Sequence, residues 1–439
     1  MLKMKTRFKY TLILLLAVAA SVFSQSVKLD SVNDAIQYAF DHNPDLAIYQ
    51  QNQEKAGKDY NSVKNYWMPT VSGSFSGVDN IDLPVTKVPG EIFGQPGKTI
   101  EAEFGQKYNY SAGLTISKSI LDFQARFAAK AAKVNVEIVG ANQAVYQQKL
   151  AEQVALYYYL ALITERALAV HDRDYKTARD ILAIVEQKFE QGIVDQYTVN
   201  LATMNGNSIL QNISSSKTVL DQCLSQLKIL FGVSAETEIE LNNQLESADV
   251  NIPLQNIGSD KNLEVYSLQL KQSEYLVKQQ RSMWLPKLSL NYYLGTQQYR
   301  DTYGISFDNS DWSSVKYKSL NISFPLFNGL ATKNKVNSAR VAYEISRSTL
   351  EQEMSKSRIE DELALKEFHY SQTAAEAADK NYQLAWENAE FQRQKFEEGL
   401  VGLDVYLDTF DDYLKAEVSY LNSLSEVYTH YSKIVSRNY

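Results

Sequence analysis

From Leu330 to Glu398 the chain runs for 69 residues without a glycine or a proline, and Gly399 ends the run. An unbroken helix of that length would measure roughly 100 Å at about 1.5 Å per residue, against the ~11–12 residues of an average globular helix. Such a helix can bury its apolar face only against other long helices of its own chain or of neighbouring chains. A second clean run follows Gly402 to the terminus, and an earlier one, Ala141 to Gln191, stops at Gly192. The eight prolines, at 44, 69, 84, 89, 96, 253, 286 and 325, sit at the ends of the long runs or between them, as helix punctuation does.

Lys3, Lys5, Arg7 and Lys9 precede an apolar core from Leu12 to Val22, and Val22-Phe23-Ser24 precedes Gln25. This predicts a secretory signal peptide, residues 1–24, with an apolar core too short to span a bilayer. Removing its four positive charges takes the formal net charge from −8 to −12, which argues against nucleic acid as partner. Cys223 is alone, so no internal disulfide forms, and four scattered histidines predict no metal site.

In the mature chain, Asp30 or Ser31 is positioned to cap a helix carrying Ile36, Ala39 and Phe40 on one face. Asn43-Pro44 interrupts it, and a second helix reaches Trp67-Met68-Pro69. The period then changes from helical to alternating. Val71, Gly73, Phe75 and Gly77 alternate with Ser72, Ser74 and Ser76, and Tyr108, Tyr110, Ala112, Leu114 and Ile116 alternate with Asn109, Ser111, Gly113, Thr115 and Ser117. These predict strands at about 70–78 and 107–118, joined by a loop rich in Pro, Gly and acidic residues. Apolar on one side and small-polar on the other, they suit a half-buried soluble sheet or a membrane barrel with lipid outside and water inside. The secretion signal, the lack of a spanning helix and the tyrosines at strand ends favour the barrel.

Helix resumes at about Asp122, turns at Gly192 and ends near Phe231, before a connector, 232–260, with little periodicity. Then the order repeats. Trp284-Leu285-Pro286 echoes Trp67-Met68-Pro69 at a spacing of 217, Leu320-Asn321-Ile322-Ser323 echoes Leu114-Thr115-Ile116-Ser117 at 206, and Lys395-Phe396-Glu397-Glu398-Gly399 echoes Lys188-Phe189-Glu190-Gln191-Gly192 at 207. Three echoes in one order define two structural repeats, 25–231 and 261–439, each reading helix, strand, strand, long helix, helix. The second pair of strands is expected at about 287–296 and 315–324. Val315 and Tyr317 are out of phase with Leu320, Ile322 and Phe324, so a bulge near Lys318 or a shorter strand from Leu320 is expected.

The fold class is thus mainly α with a small β part. Four strands cannot close a barrel, and an open sheet edge is not tolerated in hydrocarbon. Closure in a membrane needs several copies, three giving 12 strands or two giving eight. Val154–Ile163, nearly all apolar but only about ten residues long, reads as a helix stretch buried on more than one side.

Over essentially the whole mature chain this layout resembles the TolC-type outer membrane efflux proteins. The resemblance rests on Ala35-Ile36 through Asn43-Pro44-Asp45-Leu46, on Trp67-Met68-Pro69 and Trp284-Leu285-Pro286 before the first strand of each repeat, and on Phe324-Pro325-Leu326-Phe327-Asn328-Gly329 after the last. The first repeat departs from the last signature, reading Lys118-Ser119-Ile120-Leu121-Asp122-Phe123, which predicts a softer strand-to-helix junction there. The resemblance implies a homotrimer with a 12-stranded β-barrel in the outer membrane of a Gram-negative bacterium, continued through the periplasm by a long α-helical barrel. It also implies a passive conduit, opened by a periplasmic adaptor (membrane fusion protein) attached to an inner-membrane transporter.

The turns Gln191–Asp195 and Glu398–Leu403 would then be the tips that meet the adaptor. Gly192 and Gly399 are expected as helix C-caps in any protein. The apolar residues beside them, Ile193, Val194, Leu400 and Val401, are less expected at a hairpin turn and are the adaptor-contact candidates. Asp404 and Asp408, four apart on one helix face, are pore-constriction candidates, since one inward carboxylate per chain becomes a ring of three that favours cations. Asp404 also suits a first helical turn for its dipole alone. No catalytic constellation and no phosphate-binding loop occurs, His42, His171, His369 and His430 are expected on surfaces or helix faces, and no cofactor is implied. The alternative is a secreted or periplasmic coiled-coil scaffold or adhesin with a soluble sheet.

Overall fold

A computed structural model describes residues 26–242 and 257–439. The expected signal peptide and the middle of the connector lie outside the described residues. The first repeat comprises β1 (Val27–Leu29), α1 (Val32–His42), α2 (Pro44–Lys64), β2 (Thr70–Asp79), β3 (Val85–Pro89), β4 (Thr99–Glu103), β5 (Tyr108–Leu121), α3 (Phe123–Glu190) and α4 (Gln196–Phe231). After β6 (Ile239–Leu241), the second runs α5 (Lys261–Arg281), β7 (Lys287–Arg300), β8 (Ser313–Ser323), α6 (Ala331–Glu397) and α7 (Leu403–Ser436). No helix of the described residues is long and apolar enough to cross a membrane.

Two compact units divide the chain, and each draws on both repeats. One holds residues up to Asn52 with Gly140–Val265 and Glu351–Tyr439, the other Gln53–Val139 with Tyr266–Leu350. The repeats are units of sequence, then, and the cores form between them.

The second unit holds a four-stranded antiparallel sheet in the order β2-β5-β7-β8. Its register puts Val71, Ile116, Tyr292 and Lys318 in one row and Leu290 opposite Leu320, so most of the apolar residues of the four strands share one face with Lys316 and Lys318, while Val78 and Val315 lie on the other. On the other face Ser72, Thr115, Tyr293 and Tyr317 form a row. The apolar face is open: Val71, Phe75, Leu320 and Ile322 are each 60–64% exposed. β8 corrects both expectations for the fourth strand. It is continuous, with neither a bulge near Lys318 nor a start at Leu320, and the register shift lies instead in β5 between Ser119 and Leu121. Tyr317 stays on the polar face because it stacks on Tyr293 at 5.2 Å. The Tyr293 ring in turn fills the space that a Cβ at Gly113 or Gly295 would need.

The loop between β2 and β5 is not wholly irregular, since β3 and β4 pair within it. The junction after β5 is also tighter than expected: Asp122 alone separates strand from helix and accepts from Ala125 N at 2.9 Å. The longer junction is the one after β8, where Gly329 and Leu330 both take positive φ, 63° and 66°.

In the helical unit, Ser31 caps α1 by accepting from Asp34 N at 3.2 Å, and Asn43 caps α2 by accepting from Asp45 N at 3.0 Å. Within the connector, β6 pairs parallel with β1 and adds Val27 and Leu29 to a core with Ile36, Leu150, Tyr158 and Phe231. The Val154–Ile163 stretch is buried from two sides, Val154 and Leu162 in that core and Ile163 in a second one with Phe368, Tyr420 and Val427.

Candidate functional site

The site is built on the two interhelical turns of the helical unit. α3 and α6 end alike. Gly192 (φ 74°) donates to Phe189 O at 2.9 Å and Ile193 N to Lys188 O at 2.8 Å, while Gly399 (φ 76°) donates to Phe396 O at 3.0 Å and Leu400 N to Lys395 O at 2.8 Å. In this capping motif an apolar residue after the glycine ordinarily packs on the residue that supplies the second carbonyl. That residue is a lysine at both turns, so Ile193 and Leu400 find no apolar partner and stand 64% and 69% exposed. Val194 and Val401, expected outward with them, are half-buried against the core formed by Val185, Leu403 and Tyr406. The tip surface is therefore Ile193 and Leu400.

Asp195 starts α4 as its cap, accepting from Thr198 N at 3.0 Å and Thr198 Oγ1 at 2.8 Å, and these bonds hold its carboxyl below the usual range. Gly402 starts α7 without a side-chain cap, and Asp404 Oδ1 occupies the place where a Cβ on Gly402 would lie. Asp404 and Asp408 are exposed on the side of α7 away from Leu403, Tyr406 and Phe410, with no ion pair to any described residue. Asp411 and Asp412, by contrast, share Lys415 at 2.6 and 3.7 Å. The two candidate acids are thus unneutralised and on one exposed face.

Behind the turns, the inner face of α7 carries a run of rings: Tyr406–Phe410 at 5.7 Å, Phe410–Tyr413 at 5.5 Å, and Tyr382 of α6 between Tyr413 and Tyr420 at 5.7 and 5.6 Å. A polar group interrupts it. Arg173 Nη2 donates to Tyr413 Oη at 3.0 Å, and Tyr413 Oη donates to Asp174 Oδ2 at 3.1 Å. These residues line a cleft of about 280 Å³ with Trp386, Glu390 and Arg393.

His171 lies next to this group, on a helix face and not at the surface: it is 4% exposed, with Nδ1 3.5 Å from Glu417 Oε1. Burial pushes the His171 imidazole down and the Glu417 carboxyl up to about 8, and it also raises Asp174 despite Arg173 beside it. His42 and His369 are exposed and His430 is half-buried. Sequence reasoning missed Arg173, Asp174, Tyr413 and Glu417. The available signal was Glu417 itself, an acid in register with the apolar stripe Phe410, Tyr413, Tyr420 and Leu424.

An open sheet with an exposed apolar face, in a chain whose long helices end in paired turns with outward apolar residues, fits a channel of the outer membrane. The chain belongs to the outer membrane efflux protein family, which it matches over residues 35–233 and 254–434. It is thus an outer-membrane channel of the tripartite efflux type, located in the outer membrane of a Gram-negative bacterium. Solved structures of similar fold include the Campylobacter jejuni CmeC outer membrane channel, at 19% identity over 92% of this chain and 85% of that one, with a TM-score of 0.71. CusC is similar at 17% identity over 95% and 94%, TM-score 0.74, and so is the open state of the Neisseria gonorrhoeae MtrE outer membrane channel, at 17% over 92% and 88%, TM-score 0.72. No curated protein matches the sequence.

Proposed function

We propose that the chain acts as a homotrimer whose three sheets close one 12-stranded barrel in the outer membrane, and that it serves as a passive conduit without catalysis of its own. The observation that carries this reading is the β2-β5-β7-β8 sheet, whose two edges, β2 and β8, pair with no other described strand, and which has an exposed apolar face. In hydrocarbon such edges must pair, and pairing β2 of one copy with β8 of the next satisfies both. Lipid then covers the row of Val71, Phe75, Leu320 and Ile322, and the Ser72, Thr115 and Tyr293 row faces water.

Ile193 and Leu400 dock the periplasmic adaptor, which couples the channel to an inner-membrane transporter. Asp404 and Asp408 of three chains form two carboxylate rings at the periplasmic mouth and favour cations there. In planar bilayers the wild-type channel is expected to be blocked by multivalent cations from the periplasmic side, and Asp404→Ala with Asp408→Ala is expected to relieve the block. Unaltered block in the double variant removes both residues from the constriction.

A further inference from the structure

His171 and Asp174 stand three apart on α3 and so share a face, while Glu417 approaches from the apolar face of α7. The three are 4%, 4% and 2% exposed, and one ligand atom from each lies within 4.8 Å of the other two. Asp174 is held in place by Tyr413 and by Arg173, whose guanidinium offsets its charge. Glu417 has no such support. Neither of its oxygens, nor Nδ1 of His171, has a hydrogen-bond partner in the described structure. A carboxylate buried with both oxygens unmet is costly unless a cation or a proton meets it.

We propose that His171, Asp174 and Glu417 bind one divalent transition-metal ion of the Zn2+ class, tying α3 to α7 inside the helical wall. One imidazole with two carboxylates is a donor set such ions accept, and three protein ligands leave a fourth position open. The 3.5 Å between His171 Nδ1 and Glu417 Oε1 is close to the roughly 3.3 Å separating neighbouring ligands in a tetrahedral site with ~2.0–2.1 Å bonds. Side-chain rotation brings in Asp174. Tyr413 supplies the outer hydrogen bond that orients a ligating carboxylate. Because Asp174 and Tyr413 also line the cleft, an ion has a path inward. On binding, any proton on Glu417 leaves to solvent as its oxygen takes the metal. The sequence concealed the site because Glu417 comes from the other repeat.

The test is titration of ZnCl2 into the purified full chain in detergent after chelator treatment, by calorimetry and elemental analysis. One Zn2+ per chain is expected. Glu417→Gln, which keeps the shape of the neutral acid, and His171→Gln should each weaken binding at least about tenfold, and Tyr413→Phe about tenfold through Asp174. Asp411→Asn with Asp412→Asn, exposed acids of the same helix that share Lys415, should leave binding unchanged, which separates the site from exposed acids. Co2+ in place of Zn2+ should give visible absorption in the wild type that Glu417→Gln lacks, so the outcome does not rest on affinity alone. Zn2+ binding absent from the wild type, or equal in the wild type and both ligand variants, overturns the proposal and leaves a proton on Glu417 as its partner.

Discussion

Leu330 is a leucine in the left-handed region, φ 66°, directly after Gly329 at 63°. That conformation costs a residue with a Cβ about 1–2 kcal/mol, and the Leu330 side chain is 55% exposed, so it recovers little by packing. Leu330→Gly is therefore expected to stabilise the chain by about 0.5–1 kcal/mol, read as a higher melting temperature in detergent. Gly399→Ala, at φ 76°, should destabilise it by about 1 kcal/mol. A second residue-level feature responds to acid. Asp260 is half-buried, which alone would raise its pKa, but the N–H and side chain of Asn262 and the Arg437 guanidinium at 3.0 Å outweigh burial and lower it. A carboxylate with a depressed folded pKa contributes stability above its unfolded pKa and loses it as pH falls through the folded one. The stabilising effect of Asp260 is thus complete at neutral pH and fades below the ordinary aspartate range. Asp260→Asn should cost about 1–2 kcal/mol at pH 7 and progressively less as pH falls below the ordinary aspartate range, measured as melting temperature against pH.

At the level of elements, Tyr293 folds over Gly113 and Gly295 while stacking on Tyr317, which links three strands on the polar face of the sheet. Gly113→Ala should displace the tyrosine ring and leave the backbone in place, with a loss of about 0.5–1.5 kcal/mol for the stacked pair. In a double-mutant cycle, Tyr293→Ala should remove most of that loss. An undiminished loss would mean that the backbone had moved. This ring also explains what the sequence could and could not show. The four long strands were legible because ten or more residues of alternation outweigh local noise, but the phase of β8 was not, since a cross-strand stack overrides the alternation at Tyr317. β1 and β6 are too short to show a period, and β3 with β4 lies among prolines and glycines that mask it. The helical turns were legible from Gly192 and Gly399. That Val194 and Val401 turn inward was not, because it depends on a core assembled from both repeats.

For the whole molecule, the free edges of the sheet and the exposed apolar residues along α6, Val341, Ile345, Ile359 and Leu363 at 60%, 61%, 63% and 49%, have the same remedy. Neighbouring copies can pair the edges and cover the stripe. The duplication supplies four strands per chain, so the proposed trimer closes a barrel of 12 strands, where two copies would close one of eight. The most direct test of this account is the protein mass of the particle extracted from the outer membrane in mild detergent. Three chains per particle, falling to one on boiling, is the predicted result. A two-chain particle, or recovery as a soluble periplasmic monomer, would contradict it.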